Sequence, residues 1–365
     1  MVTGVILVHS DRGHTVDGIR DHTLRLGEEL GRRPLAVAEL RLRPATAPGG
    51  RFGGSVRAWR RLRRLDGDAA VVIQYSPFCY ARRGFAPGLP ACLLALRATG
   101  ERPTVALMVH EPYVPMSNWR WALMGLWQRL QLAALRLGAD VTFTSIEPWA
   151  RQFGAQPPWR PVHHLPVGSN FPDAREQRAE QRRRLGAGPG DVVLACLGRD
   201  HPGWRAGHVV AAANAAARGG RPPVLLNLGA DAPALAGLDP AISLHEPGYL
   251  EPYEFAARLA AADLFLAPTL DGVSTRRGSV MAALQHGLAV LGTDGPLTDA
   301  VLRAAAPALT LSPVGDPDAF ARAAARLAAD PDRRSVAGAA ARGLYEREFD
   351  WPVIADRLVA ALPER

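Results

Sequence analysis

The sequence predicts an α/β chain of two doubly wound domains in tandem, with a substrate cleft between them. Length is the first observation behind this: 365 residues exceed one ordinary domain and suit two of about 170 residues each. The second is alternation. Short apolar runs and helix-period stretches follow one another along the chain, the pattern of a parallel sheet covered on both faces. The third is a restart, since the alternation breaks once at a polar segment punctuated by Gly and Pro and then begins again.

Taken in order, Val5–Val8, Leu35–Ala38, Ala69–Ile73, Val105–Val109 and Val141–Phe143 are expected strands of the first domain. Helical stretches such as Ile19–Leu30 and Ala122–Leu137 lie between them. The break is LPVGSNFPDAREQRAEQRRRLGAGPGD, Leu165 to Asp191, which places the boundary near Phe171. The expected domains are therefore 1–171 and 172–345, with 346–365 as a closing helical segment. The second series of strands is Val192–Leu197, Val224–Leu228, Ile242–Leu244, Leu264–Ala267, Ala289–Leu291 and Leu309–Leu311. GAGPG at Gly186–Gly190 mimics a phosphate loop, but it precedes a strand instead of following one and reads as a hinge. In such folds ligands sit at the C-terminal ends of strands, and with two units the natural place is the cleft between them.

Composition narrows the function classes. No apolar run approaches the roughly 18 residues of a membrane span. The start, MVTGVILVHSD, lacks the basic leader and cleavage site of a signal peptide and reads as a first strand, so a cytoplasmic location is expected. Cys79, Cys92 and Cys196 are odd in number and far apart, which argues for small buried apolar residues and against disulfides or zinc. All 43 basic residues are arginine, against 35 acids, and the chain is rich in Ala, Gly and Pro, as in proteins of GC-rich bacteria. The arginines are scattered without interleaved aromatics, so no nucleic-acid partner is expected. Anionic substrates, or weak contact with an anionic membrane surface, fit the charge. No cluster suggests a metal ligand set; Asp316-Pro317-Asp318 and Asp330-Pro331-Asp332 read as turns and helix caps.

Most of the chemistry lies in LFLAPTLDGVSTRRGSVMAALQHGLAVLGTDG. A buried strand ends at Ala267-Pro268, and a loop follows with Asp271, Gly272, Ser274, Thr275, Arg276 and Arg277. Gly278 and Ser279 open a helix that Gly287 closes as a C-terminal cap. A helix N-terminus presents unpaired N–H groups and partial positive charge to an anion. Gly278 permits close approach, Ser279 is either an N-cap or a hydroxyl donor, and an arginine adds a bidentate contact. From the residues alone this is either an anion site or a plainly capped helix with solvated arginines.

This strand–loop–helix–strand, closing on Ala-Leu-Gln-His-Gly-Leu-Ala-Val, resembles the donor site of retaining GT-B glycosyltransferases of the family-4 type, whose fold is two Rossmann-like domains. That family carries two glutamates eight positions apart in this stretch and ends the helix in Gly-x-Pro-Val. Five residues before Gly287 this chain has Ala282, and Asp271 is the only acid of its loop. Two further segments resemble the family. GRDHPGWRAGH, from Gly198, is similar to its phosphate clamp, which implies that Arg199 and Arg205 offset the donor diphosphate and stabilise the leaving group; by themselves they are also readable as surface arginines. HEPGYLEPYEF, from His245, is similar to its base-binding segment and implies backbone contacts from Gly248, Tyr249 and Leu250; an ordinary strand–turn–helix gives the same pattern.

In the first domain, Gly18 before a helix resembles the family's glycine-rich loop, with Arg20, Asp21 and His22 as candidate acceptor contacts. His110 and Glu111 follow a buried strand in VALMVHEPYVP, where the family has a histidine that touches the transferred sugar; a structural histidine is the alternative. Tyr75, in QYSPFCYARRG, is a further acceptor candidate, and Trp351 an anchor for the closing helix. Ser117–Gly138, with Trp119, Trp121 and Trp127 among arginines, is either a sheet-covering helix or a membrane-surface helix for a lipid-linked acceptor.

The resemblance implies transfer of a sugar from a nucleotide-sugar co-substrate to a small-molecule or lipid-linked acceptor, with retention, without metal and without a bound cofactor. The alternatives are a non-catalytic sugar-nucleotide-binding protein and a nucleotide-sugar epimerase on the same fold. Pyridoxal-phosphate chemistry is excluded, since no lysine exists to hold the cofactor.

Overall fold

The computed structural model describes residues 2–10, 17–42, 68–99, 102–198, 203–229 and 234–363. They fall into two compact units, Met1–Pro166 with Trp351–Arg365, and Val167–Asp350. Both are doubly wound α/β units, as the alternation predicts.

The first unit contains β1 (Gly4–Ser10), α1 (Gly18–Leu30), β2 (Ala36–Leu42), β3 (Ala69–Tyr75), α2 (Gly88–Arg97), β4 (Thr104–Val109), α3 (Trp119–Gly138), β5 (Val141–Thr144), α4 (Glu147–Gly154) and β6 (Val162–His164). Its sheet is parallel, in the order β2-β1-β3-β4-β5-β6. The chain winds outward from β1 to β2, then returns past β1 to β3, so the winding reverses between β1 and β3. The apolar run over residues 35–38 marks only the start of β2. β6, three residues long and set between Pro161 and Pro166, carries no period to read.

The second unit contains α5 (Arg178–Arg184), β7 (Val193–Cys196), α6 (Ala206–Arg218), β8 (Val224–Asn227), β9 (Ser243–His245), α7 (Pro252–Ala260), β10 (Leu264–Ala267), α8 (Gly278–Gln285), β11 (Ala289–Asp294), α9 (Ala300–Arg303), β12 (Leu309–Pro313), α10 (Pro317–Ala329) and α11 (Pro331–Glu348). Its parallel order, β12-β11-β10-β7-β8-β9, puts the reversal between β7 and β10. The strands are short apolar runs because both faces are covered. Leu264 and Leu266 pack into one layer with Phe320 and Leu327, while Phe265 and Ala267 enter the other with Phe255 and Tyr345. Asp263, at the base of β10, accepts hydrogen bonds from the Val193 N–H (2.8 Å) and from Arg182 (2.8 Å), and Arg178 pairs with its other oxygen. Both arginines also bind carbonyls at the C-terminal end of α7, completing groups a helix end leaves open.

The closing helix α12 (Trp351–Ala360) belongs to the first unit. Trp351, Ile354, Ala355 and Leu358 share a core with Val5, Leu7, Leu26 and Leu30. Arg33 ties α12 to the end of α1 through Asp356 (2.7 Å) and the Pro352 carbonyl (2.9 Å).

The expected caps form. Asp316 accepts from the Ala319 N–H and Asp330 from the Arg333 N–H, each at 2.8 Å, with Pro317 and Pro331 opening the helices. All three cysteines are buried, and none is in a disulfide. Among the described residues no helix is long and apolar enough to cross a membrane.

Candidate functional site

In the second unit the reversal brings two loops together at the C-terminal edge of the sheet. Residues 203–205, after β7, pair with residues 268–270, after β10. The Leu270 N–H donates to the Gly203 carbonyl (2.8 Å), the Arg205 N–H to the Pro268 carbonyl (3.1 Å), and Trp204 faces Thr269 in an antiparallel bridge. Arg205 is thereby fixed by its backbone beside the β10 loop, with its side chain exposed. Arg199 lies outside the described residues.

The β10 loop is held from several directions. The Thr269 N–H donates to Thr293 Oγ1 (2.9 Å), and that hydroxyl donates back to the Thr269 carbonyl (2.6 Å). The Val273 N–H reaches the Thr293 carbonyl (2.8 Å) and the Leu297 N–H reaches that of Asp271 (2.9 Å). Gly272 has φ +88°, and a Cβ there would stand 2.4 Å from the Gly295 nitrogen, so only glycine fits. The Thr275 N–H donates to Asp299 Oδ2 (2.7 Å) and its carbonyl accepts from Val167 (3.0 Å).

α8 then begins at Gly278, and no side chain caps it. The first-turn N–H groups of Gly278 and Ser279 find no acceptor among the described residues. Four residues before Gly278, the Ser274 Oγ is buried with no partner. Arg276 and Arg277 flank the helix start, half-buried. The arrangement is an electropositive, donor-rich helix start with one orphan hydroxyl, suited to an anion. Gly287 closes α8 at φ +67°, with the Leu288 N–H on the Ala283 carbonyl, as the sequence predicts. Ala282, five residues before Gly287, where the resembled family has a glutamate, is fully buried in the apolar core beneath α8.

Asn227, at the end of β8, was not foreseen, yet it joins three loops. Its Oδ1 accepts from the Gly198 N–H (3.0 Å) and its Nδ2 donates to Glu246 (2.8 Å). A lone amide ending the apolar run VLLN is the one signal that marks it. Gly248 follows Glu246 at φ +74°, Tyr249 is exposed, and Leu250 packs partly into the core.

His286, also unforeseen, is buried at the C-terminal end of α8. Its Nδ1–H donates to the Ala282 carbonyl (2.8 Å) and its Nε2 accepts from the Ala174 N–H (3.3 Å), which requires the neutral ring. Burial pushes its pKa down, against the Ala282 hydrogen bond.

In the first unit the corresponding strand ends hold a second polar cluster. His110, after β4, is buried; its Nε2–H donates to Gln74 Oε1 (2.7 Å) at the end of β3, and burial lowers its pKa to about 4. His22, one turn into α1, meets His110 edge-on at 4.8 Å between ring centroids and Trp351 at 5.1 Å. Both His22 ring nitrogens, Gln74 Nε2 and Ser10 Oγ are buried without partners. Burial, then His110, drives the His22 pKa well down. Neutral imidazoles with open lone pairs and N–H groups are what a hydroxyl-rich ligand would use.

The other candidates of this unit stand elsewhere. Gly18 and Arg20 are exposed, and the N-terminus of α1 is already capped by Asp17 Oδ1, which accepts from Ile19 (3.1 Å) and Arg20 (3.2 Å). Asp21 is half-buried, with its pKa raised by burial and by Asp17. Glu111 is exposed. Tyr75 is fully buried; its hydroxyl accepts from Gln131 of α3 (3.3 Å), and burial lifts its pKa to about 12.

No protein-family model matches the chain. No curated protein matches it either. Solved structures do match across its length. Sucrose-phosphate synthase from Thermosynechococcus elongatus aligns with a TM-score of 0.69 at 14% identity, covering 98% of both chains. WaaG, a glycosyltransferase involved in lipopolysaccharide biosynthesis, gives 0.66 at 15%, covering 99% of this chain and 100% of that one. Anabaena HepE in complex with UDP and glucose gives 0.65 at 13%, covering 98% of both. At these identities the likeness is one of fold: two parallel six-stranded units flanked by helices, shared with GT-B glycosyltransferases.

Proposed function

We propose that the chain is a glycosyltransferase that moves a sugar from a nucleoside-diphosphate sugar to an acceptor nucleophile, with retention and without metal. The observation that carries this reading is the uncapped N-terminus of α8, placed where the winding reverses and preceded by Arg276 and Arg277, with Arg205 held by its backbone beside the start of the same loop. Such a site favours a diphosphate, and most strongly the charge that develops as the diphosphate leaves. Ser274 Oγ supplies a hydrogen bond to the same ligand, and the Gly248–Leu250 backbone serves the base. In the first unit the neutral His110 and His22, with Gln74, recognise sugar hydroxyls. No side-chain nucleophile is needed in this scheme, since the leaving phosphate deprotonates the acceptor. The fold shared with glycosyltransferases supports the assignment.

Thermal shifts with UDP, GDP, dTDP and ADP identify the donor class, because stabilisation tracks ligand concentration over Kd. Slow hydrolysis of the matching nucleotide-sugar, abolished in Arg277→Ala, supports the reading. Nucleotide binding without turnover across an acceptor panel refutes it. A second reading has an observation of its own: with Ala282 where the resembled family has a glutamate and Asp271 the only acid of the loop, a non-catalytic sugar-nucleotide-binding protein would keep the phosphate site and lose turnover.

A further inference from the structure

We propose that the outer face of α3 docks on an anionic lipid surface. One face of this 20-residue helix covers the unit: Gly125, Gln128, Gln131, Leu132, Leu135, Arg136 and Gly138 are buried. The opposite face carries Trp119, Leu123, Leu126, Leu130 and Leu137, all exposed, with Trp119 73% and Leu130 65% accessible. Their spacing of four, three, four and seven keeps them within a narrow stripe along the helix. Met116, just before the helix, is also exposed, and Phe85 adds a ring beside it, in edge contact with Trp127 at 5.9 Å. A soluble helix with so continuous an exposed apolar stripe marks an interaction surface.

Charge selects the occupant. Residues 112–139 contain no acid, and their only charged side chains are Arg120, Arg129 and Arg136. Arg136 is spent on carbonyls at the end of α4, such as that of Phe153 (2.7 Å). Arg120 is exposed and lies over the Trp119 ring at 5.2 Å. Arg83 is exposed beside the helix, its carbonyl accepting from Gln128 (3.4 Å). A second copy seated stripe on stripe would set arginine against arginine with no acid to meet it. An anionic bilayer supplies that charge, accepts leucines at the acyl boundary and suits tryptophans at the headgroup level. The helix, about 30 Å long, lies in the plane of the interface. The docking stands whether or not the chain transfers a sugar.

Co-sedimentation of the full chain with phosphatidylcholine vesicles, and with vesicles of equal parts phosphatidylcholine and phosphatidylglycerol, tests this. The protein should pellet with the anionic vesicles and hardly with the neutral ones. Leu126→Glu/Leu130→Glu, at exposed positions, should weaken partitioning at least about tenfold with an unchanged melting temperature. Arg120→Glu should weaken it several-fold, on anionic vesicles alone. Failure of the parent protein to pellet, or equal partitioning by the leucine variant, overturns the proposal. So does a parent dimer in light scattering that the leucine variant dissolves while vesicle binding persists.

Discussion

Replacing Gly272 by alanine tests whether the β10 loop is as tightly determined as its contacts imply. Two costs add. Alanine at φ +88° costs about 1 kcal/mol in backbone conformation alone. Its Cβ would also stand 2.2 Å from Thr298 Oγ1, 2.4 Å from the Gly295 nitrogen and 2.8 Å from the Gly295 Cα. Thr298 is held by the Gly295 N–H at 3.0 Å and the other two contacts are backbone, so no rotamer change relieves the collision. The loops after β10 and β11 must separate, straining the Leu297-to-Asp271 hydrogen bond at a further cost of about 2 kcal/mol. The expected loss is therefore about 3 kcal/mol, or about 6–12 °C for a unit of this size. Gly248 provides the control. It has φ +74° with nothing within 4 Å of a Cβ, so Gly248→Ala should cost only about 1 kcal/mol. Thermal melts of both variants measure the difference, and nucleotide affinity should fall with Gly272→Ala because α8 starts six residues later. Equal melting temperatures for the two variants would refute the reasoning.

Other perturbations reach other parts of the structure. Acid should destabilise the chain between about pH 6.5 and 4, because a histidine with a lowered folded pKa binds protons preferentially in the unfolded state, and its contribution, complete above the unfolded value, is lost as the pH falls. For His110, held down to about 4, the full loss is about 3 kcal/mol, and His22 and His286 act in the same direction; urea midpoints at pH 7.5 and 5 should converge in His110→Gln relative to the parent. Asp263→Ala, which strands Arg182 and the Val193 N–H, should cost about 3 kcal/mol, whereas Asp356→Ala at the exposed Arg33 pair should cost under about 0.5 kcal/mol; chemical denaturation ranks them, and a reversed order contradicts the burial argument. Ser274→Ala removes a buried hydroxyl that has no partner, so it should leave stability unchanged or raise it by about 1 kcal/mol while weakening nucleotide binding roughly fivefold by calorimetry; a stability loss above that would mean the hydroxyl is structural.

Fold was legible where strands are central. Runs such as Leu264–Ala267 and Val105–Val109 are apolar at every position because both sheet faces are covered, and the structure places strands there. Edge strands were harder. β9 begins one residue later than the apolar run over residues 242–244, and Ser243 and Leu244 are exposed, so the edge gives alternation little to act on. β6 reads VHH and is a strand only because β5 offers it a register, Phe143 against His163.

The site divides along a different line. The start of α8 at Gly278 and its end at Gly287 were legible because both are local decisions of a few adjacent residues. The acceptor that fixes Thr275 was not: Asp299 lies 24 positions away, and its carboxylate has meaning for the loop only once β10 and β11 are side by side. The same holds for Asn227 and for the His22–His110 pair, which span 29 and 88 positions from their partners Gly198 and His110. What marks a candidate binding group here is the lack of a partner, as at Ser274 Oγ, the His22 nitrogens and the first turn of α8. That property depends on every remote residue that fails to arrive, so no local pattern encodes it. Arginine, by contrast, is misleading in a chain with no other cation: Arg136, Arg178 and Arg182 are occupied in closing helix ends and loops, and only position in the fold separates them from Arg205. The candidate site is thus defined less by its residue types than by which of them the fold leaves uncommitted.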